Sequence, residues 1–202
     1  WGHSMINSRD AEPWSFGEEV EAIARNYLKL RYRLLPYLYS TFRDSSQGGL
    51  PVARSLAIDY THDEKVYEAQ YHNQYLFGES ILVAPLDSTR DIGRVYLPEG
   101  TWYDLYDDRM YRGAGEVLVE APVERLPVFV GGGAIIPVQE AASHTGEDPG
   151  ELLQLHLYRS CHIAGSSSFT YYEAVVSGYK LNSSNWLETS RSSLVGSWSE
   201  KA

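Results

Sequence analysis

The apolar pattern changes its period once, near Leu50, and no other feature limits the fold as strongly. Before that point Val20, Ile23, Tyr27, Leu30 and Leu34 recur at steps of three and four. Those steps put one apolar stripe on a helix of about five turns. Ser15 and Glu18 have the spacing of a capping box, in which each side chain takes an N–H of the first turn. Glu18 and Glu19 suit the positive end of a helix. Pro36 interrupts the pattern, yet "YLYSTF" carries it on, which predicts a kink or break and a second helix. Gly48-Gly49 then ends the helical region.

After Leu50 the sequence turns to β-branched, aliphatic and aromatic runs set off by Gly and Pro. "LPVARSLAI" and "QYLFGESILVAPL" come first. Val95-Tyr96-Leu97 and the run Trp102 to Tyr106 flank a Pro98-Glu99-Gly100 turn. "GEVLVEAPVERLPVFVGGGAIIPV" supplies three more short strands. Strands at a spacing of about 8–12 residues imply an antiparallel sandwich. Residues 140–151 are polar and read as a linker or exposed loop. "LLQLHLY" and "SSFTYYE" read as two further strands, and from Ala174 the Ser-rich sequence loses its period. The expected fold is mainly β: antiparallel β-sandwich domains preceded by helix.

Composition limits the partners. The chain carries a net charge of −10, which argues against nucleic acid or an anionic membrane surface. No apolar run reaches membrane-spanning length. Cys161 is the single cysteine, so no internal disulfide forms. The six histidines, at positions 3, 62, 72, 144, 156 and 162, show no metal-ligand spacing, and no metal or cofactor is expected. "VGGGA" lacks dinucleotide-binding spacing and reads as a tight turn, and no GxSxG elbow occurs.

Carboxylates offer three groups: Asp10 with Glu12, Asp59 with Asp63, and Asp104 with Asp107 and Asp108. Cleavage of a glycosidic bond needs two carboxyl groups about 5–5.5 Å apart for retention or about 6.5–9.5 Å apart for inversion. Asp10 and Glu12 flank a helix start, where capping or loop pinning is the common job. The Asp104 group lies in a strand–turn region and reads as turn chemistry. Spacing alone makes none of these pairs catalytic. His3 is a lone histidine, more often structural than functional, although an imidazole that donates on one nitrogen and accepts on the other suits sugar hydroxyls.

Six stretches occur in a distinctive order: "GHSMINSRDAEPWSFGEE", "LRYRLLPYLYSTF", "GLPVARSL", "QYLFGESILVAPL", "VYLPEGTWYDLY" and "LPVFVGGGAIIP". Together they resemble the C-terminal third of glycoside hydrolase family 31, the α-glucosidase and α-xylosidase family. The resemblance runs from residue 1 to about 139 and continues in part through "SSFTYYE". It implies that residues 1–52 are the last loop and helix of a (β/α)8 catalytic barrel. Residues 53–139 would be a proximal β-sandwich, and residues 140–202 a partial distal β domain. It also implies a retaining mechanism on α-glucosides, with an Asp nucleophile and an Asp acid/base on earlier barrel strands. This chain would then hold no catalytic residue and be inactive alone.

His3 matches the histidine of the family's Arg-x-His pattern and would bind a sugar hydroxyl; Trp1 stands where the arginine is expected. Glu12-Pro13-Trp14 resembles the α-glucosidase branch. Trp14 itself either stacks on a sugar or wedges the loop against the first helical turn, the commoner task. The α-glucoside partner would be met through the rest of the barrel, in a periplasmic or extracellular setting by resemblance. After Glu173, Ala174-Val175-Val176 replaces the family's Asp-Asp-Gly continuation, which suggests an aberrant reading frame. The competing reading is a non-catalytic carbohydrate-binding or structural β-sandwich. The helical stripe separates the two, because it requires a barrel to pack against.

Overall fold

The computed structural model describes residues 10–86, 91–147 and 153–160, with the backbone of Tyr171–Tyr172 and Trp186–Leu187. Pro13–Phe16 form a single 3-10 turn ahead of helix α1, Glu18–Arg33. The expected capping box does not form. Ser15 lies inside the 3-10 turn, where its N–H donates to the Glu12 carbonyl at 3.0 Å and its hydroxyl to the Glu12 carboxylate at 3.5 Å. Gly17, at φ 96°, swings the chain into α1 and caps it without a side chain. Three acids, Glu18, Glu19 and Glu21, sit in the first turn against the helix dipole, and Arg31 and Arg33 in the last.

Leu34 leaves the helical conformation at φ −87°, ψ 5°, and helix α2, Leu35–Gly48, begins at once. Pro36 falls in the first turn of α2, where its missing N–H has no intrahelical partner to lose. So the proline starts a helix instead of kinking one. Gly49 adopts the left-handed conformation at φ 80° and donates to the Ser45 carbonyl at 2.8 Å, which closes the helix.

The rest of the described chain is mainly antiparallel β, as expected. The strands are β1 (Ala53–Ser55), β2 (Tyr75–Phe77), β3 (Ile81–Val83), β4 (Ile92–Leu97) and β5 (Thr101–Asp104). They continue as β6 (Met110–Arg112), β7 (Gly115–Glu120), β8 (Val128–Gly131), β9 (Ile135–Val138) and β10 (Gln154–Leu157). A central six-stranded sheet has the order β1-β2-β3-β8-β5-β6. Among the described residues β4 pairs with β7, and β9 with β10, each as a two-stranded ribbon. Tyr171–Tyr172 and Trp186–Leu187 form one further short antiparallel pair. A short helix, α3 (Leu56–Asp59), follows β1 directly.

The central sheet is covered on both faces. Leu76, Leu82, Trp102 and Phe129 point to one side and pack with Val95, Leu97 and Val119 of the β4–β7 ribbon. Ile81, Val83, Tyr103, Val128 and Val130 point to the other and pack with Tyr37 of α2, Ile136 and Val138 of β9, and Tyr158. The register confirms the alternation: Leu82 lies opposite Phe129, and Ile81 opposite Val130. Double coverage explains why "ILV" and "VFV" read as continuous apolar runs instead of alternating ones. The turns between strands pass between layers. Pro98-Glu99-Gly100 carries the chain from the ribbon into the central sheet, and the Trp102 indole N–H donates to the Pro98 carbonyl at 2.9 Å. "VGGGA" is the tight turn expected of it: Gly132 and Gly133 donate to the Thr101 and Tyr158 carbonyls at 2.7 and 2.6 Å.

α2 is bolted to the sheet through Tyr37. Its hydroxyl donates to the Phe77 carbonyl at 2.9 Å and accepts from the Ser80 N–H at 3.3 Å. Burial pushes the Tyr37 hydroxyl above the usual tyrosine range. Gly78, at φ 67°, makes this approach feasible, since a Cβ there would sit 2.1 Å from the Tyr37 oxygen.

Candidate functional site

His3 and Trp1 lie outside the described residues, as does the sequence from Glu173 to Asn185 and beyond Leu187. The described segment nearest to them is the loop that holds Glu12, Pro13 and Trp14. Trp14 is 67% exposed, so it does not wedge the loop onto α1 as expected. Phe16 is 58% exposed beside it. Asp10 is exposed, and Glu12 holds Ser15, which agrees with a loop-pinning role for that acid.

The other carboxylates are engaged in structure. Asp59 receives Nε and Nη2 of buried Arg54 at 2.7 and 2.9 Å, a bidentate pair that fixes α3 to β1. Asp63 caps the turn Glu64–Tyr67 by accepting from the Lys65 N–H at 3.0 Å and takes the Tyr96 hydroxyl at 2.5 Å. Beside it the Tyr71 hydroxyl donates to Glu116, and the Tyr71 and Tyr96 rings stack at 5.3 Å between centroids. Burial raises both hydroxyls well above the usual tyrosine range, so they stay protonated donors. Asp104 and Asp107 accept from the N–H groups of Tyr106 and Arg109 at 2.8 and 3.0 Å, the turn chemistry that the sequence suggests. Asp104 also does something the spacing does not show: buried at the end of β5, it pairs with Arg125 at 2.8 Å. Asp59, Asp63, Asp104 and Asp107 thus each hold a turn or an ion pair of the fold, and Asp108 sits in the same turn as the last two at a left-handed φ of 59°. Among the described residues no group of three His, Cys, Asp or Glu stands close enough to hold a metal ion. No described helix is long and apolar enough to cross a membrane.

What the sequence reading misses is the junction between α1 and the sandwich. Tyr27, counted there as an apolar stripe residue, works through its hydroxyl. That oxygen accepts from the Leu126 N–H at 2.6 Å and lies 3.2 Å from both the Glu124 carbonyl and the Tyr106 hydroxyl. Tyr106 donates in turn to the Leu126 carbonyl at 2.8 Å. The Arg125 guanidinium lies over the Tyr106 ring at 5.3 Å and pairs with Asp104 and Asp107. Burial, and then the Tyr27 hydroxyl, push Tyr106 far above the usual tyrosine range. A second tie joins the end of α1 to the exit of β9, where the Gln139 N–H donates to the Arg33 carbonyl at 3.0 Å. These partners stand 79 to 99 residues apart in the chain at the Tyr27 contacts, beyond the reach of any local pattern.

The described residues thus form an antiparallel β-sandwich module with a helix pair at one side. Known proteins agree. Residues 1–41 match the model of the TIM-barrel domain of the family 31 glycosyl hydrolases, and residues 49–136 match the model of that family's C-terminal domain. Alpha-glucosidase 2 of Bacillus thermoamyloliquefaciens is 34% identical over 85% of this chain and 21% of its own length. An alpha-xylosidase of Saccharolobus solfataricus is 32% identical over 73% of this chain and 20% of its own. The structure of a Flavobacterium johnsoniae GH31 dextranase complexed with isomaltotriose superimposes with a TM-score of 0.77 at 35% identity, over 82% of this chain and 20% of that one. The chain belongs to glycoside hydrolase family 31. It spans about a fifth of the length of the relatives it matches, as a C-terminal portion of such an enzyme.

Proposed function

We propose that this chain is the C-terminal portion of a retaining α-glucosidase that hydrolyses the O-glycosidic bonds of α-glucosides. One observation carries the reading. The segment that matches the family's barrel domain includes a sixteen-residue helix, α1, that has no buried residue, although exposed apolar side chains such as Ile92 and Leu118 occur in the sandwich as well. Trp14, Phe16, Val20 and Leu28 are exposed in the barrel-matching segment. An apolar helix side of this kind belongs against a larger body. The finding refines the expected stripe. Ile23, Tyr27, Leu30 and Leu34 are half-buried, Leu34 against the cluster that includes Tyr37 of α2, while Leu28 lies on a different side of α1 and is 50% exposed, where the barrel would meet it. A self-contained sugar-binding module would not leave that side open.

On this reading residues 1–52 complete a (β/α)8 barrel, residues 53–139 form the proximal sandwich, and residues 140–202 contribute a partial distal β domain. The β9–β10 ribbon would be the joint between the last two. Barrel enzymes carry their sites at the C-terminal ends of the strands, in the loops that lead into the helices. The loop before α1 is such a loop, and His3 would bind a sugar hydroxyl there through one ring nitrogen. Glu12-Pro13-Trp14 favours α-glucosides over α-xylosides, and the isomaltotriose in the dextranase relative supports an oligosaccharide substrate.

The two catalytic carboxylates would come from earlier barrel strands. One attacks the anomeric carbon to form a glycosyl-enzyme ester while the other protonates the departing oxygen. Water, deprotonated by that second group, then cleaves the ester with net retention. The full-length enzyme should release p-nitrophenol from p-nitrophenyl α-glucoside, and the isolated 202-residue chain should not. In the full-length enzyme, His3→Ala should lower kcat/KM by about 10- to 100-fold, the loss expected for one well-placed hydrogen bond in a closed site. Turnover by the isolated chain would refute the placement of the carboxylates elsewhere, and an unchanged kcat/KM would remove His3 from the site.

A further inference from the structure

Helix α1 half-buries Ile23, Tyr27 and Leu30 and adds hydrogen bonds to that partial packing. It has no buried residue, while the next helix buries four. Its described polar ties to the sandwich concentrate at two points, the Tyr27 hydroxyl and the Arg33 carbonyl. The Tyr27 tie is well built. The oxygen takes a hydrogen bond from the Leu126 N–H and donates to the Glu124 carbonyl at 3.2 Å, with the Tyr106 oxygen equally near. Tyr106 can accept because its own proton goes to the Leu126 carbonyl. Residues 124–126 are fixed in turn, since Arg125 is clamped between Asp104, Asp107 and the Tyr106 ring. Asp104 belongs to β5 of the central sheet and is only 4% exposed. A chain of short polar contacts therefore runs from the rigid sheet to the middle of α1.

The other end of α1 leads straight into the loop of Glu12, Pro13 and Trp14. Between Tyr27 and that loop lie about two and a half turns of helix, a stiff lever of about 14 Å. We infer that Tyr27 is a positioning residue: through Tyr106 and the 124–126 backbone it sets the axis of α1, and thereby the place of the substrate-side loop before it. The sandwich is then a brace for the active-site rim. This rests on the barrel-enzyme reading above for its effect on substrate, but not for its effect on α1.

The test is Tyr27→Phe in the full-length enzyme, which removes one oxygen and keeps the ring. Hydrogen–deuterium exchange should show the amides of α1 opening about fivefold to tenfold faster, with β3 and β8 unchanged. KM for p-nitrophenyl α-glucoside should rise by about the same factor while kcat changes less, measured well below the melting temperature. A residue with a merely structural role would lower the melting temperature and leave KM alone. Tyr106→Phe, which leaves α1 itself untouched, should shift exchange and KM in the same direction; it keeps the test decisive if Tyr27→Phe folds poorly. Unchanged exchange in α1, or unchanged KM in both variants, would overturn the inference. A wild-type enzyme with no α-glucosidase activity would instead overturn the proposed function, and the exchange measurement would still decide the role of Tyr27.

Discussion

Helices α1 and α2 are neighbours of similar length, sixteen and fourteen residues, and both carry apolar and polar sides. Yet α2 buries Pro36, Tyr37, Leu38 and Ser40, and α1 has no buried residue. α2 lies over the central sheet and fills its second face through Tyr37. α1 half-buries Ile23, Tyr27 and Leu30 and is tied by polar contacts at Tyr27 and Arg33. Two helices of one amphipathic type thus have different physical supports: full burial of four residues for α2, and partial burial supplemented by hydrogen bonds for α1. The contrast is one of degree, since α2 also leaves Tyr39 and Phe42 exposed while α1 has no buried residue.

The sharpest contrast should come from the sheet that α2 covers. Phe129 is fully buried between the central sheet and the β4–β7 ribbon. Phe129→Ala should cost about 3–5 kcal/mol, from lost burial and the cavity left behind, read as a lower urea midpoint. A cost near zero would mean that the sheet is not the stable part of the molecule.

Alkaline pH should weaken the same region more gradually. Burial pushes Tyr60 and Tyr158 up to about 12, from an ordinary value of about 10. In the folded chain these hydroxyls keep protons that the unfolded chain has already released. Their stabilisation is therefore full below pH about 10, falls as the pH rises above it, and is lost through about 12. Denaturation midpoints measured at pH values on either side of about 10 should show this fall, and absorbance titration should show tyrosinate appearing late. A flat profile across that window would mean that water reaches both rings.

The smallest effect discriminates most finely. Leu28 is 50% exposed on α1. Leu28→Ala in the 202-residue chain should cost under about 0.5 kcal/mol, as surface substitutions do. In the full-length enzyme the same change should cost about 2 kcal/mol or more, if the barrel covers that side. Equal costs in the two would erase the contrast between the helices as a sign of a missing body.

Much of the fold was legible locally. The change of period near Leu50, the stop at Gly48-Gly49 and most strand runs appear where the sequence places them, but "LPVARSLAI" gives only β1 before Leu56–Asp59 turn into helix α3, capped by the Ser55 side chain. The capping box was misread because Pro13 drives a 3-10 turn that takes Ser15 out of the cap position, a competition between two local preferences. Trp14 was expected to wedge the loop, but the structure leaves it open. The α1 junction had no sequence signal. A tyrosine at an apolar step looks like core, and only the arrival of residues 124–126 shows that its hydroxyl is the working part.

The sequence by itself determined the kind of the longer elements and the family, because period, turn residues and ordered motifs are properties of short stretches. The tertiary structure decided which layer each strand joins. Val95 and Trp102 flank one turn yet belong to separate sheets, since β4 pairs with β7 while β5 pairs with β6 and β8. It also decided which helix is buried and which hydroxyl holds α1. Those outcomes depend on contacts between residues up to about a hundred positions apart, and no local pattern carries the free energy of a contact whose partner lies that far along the chain.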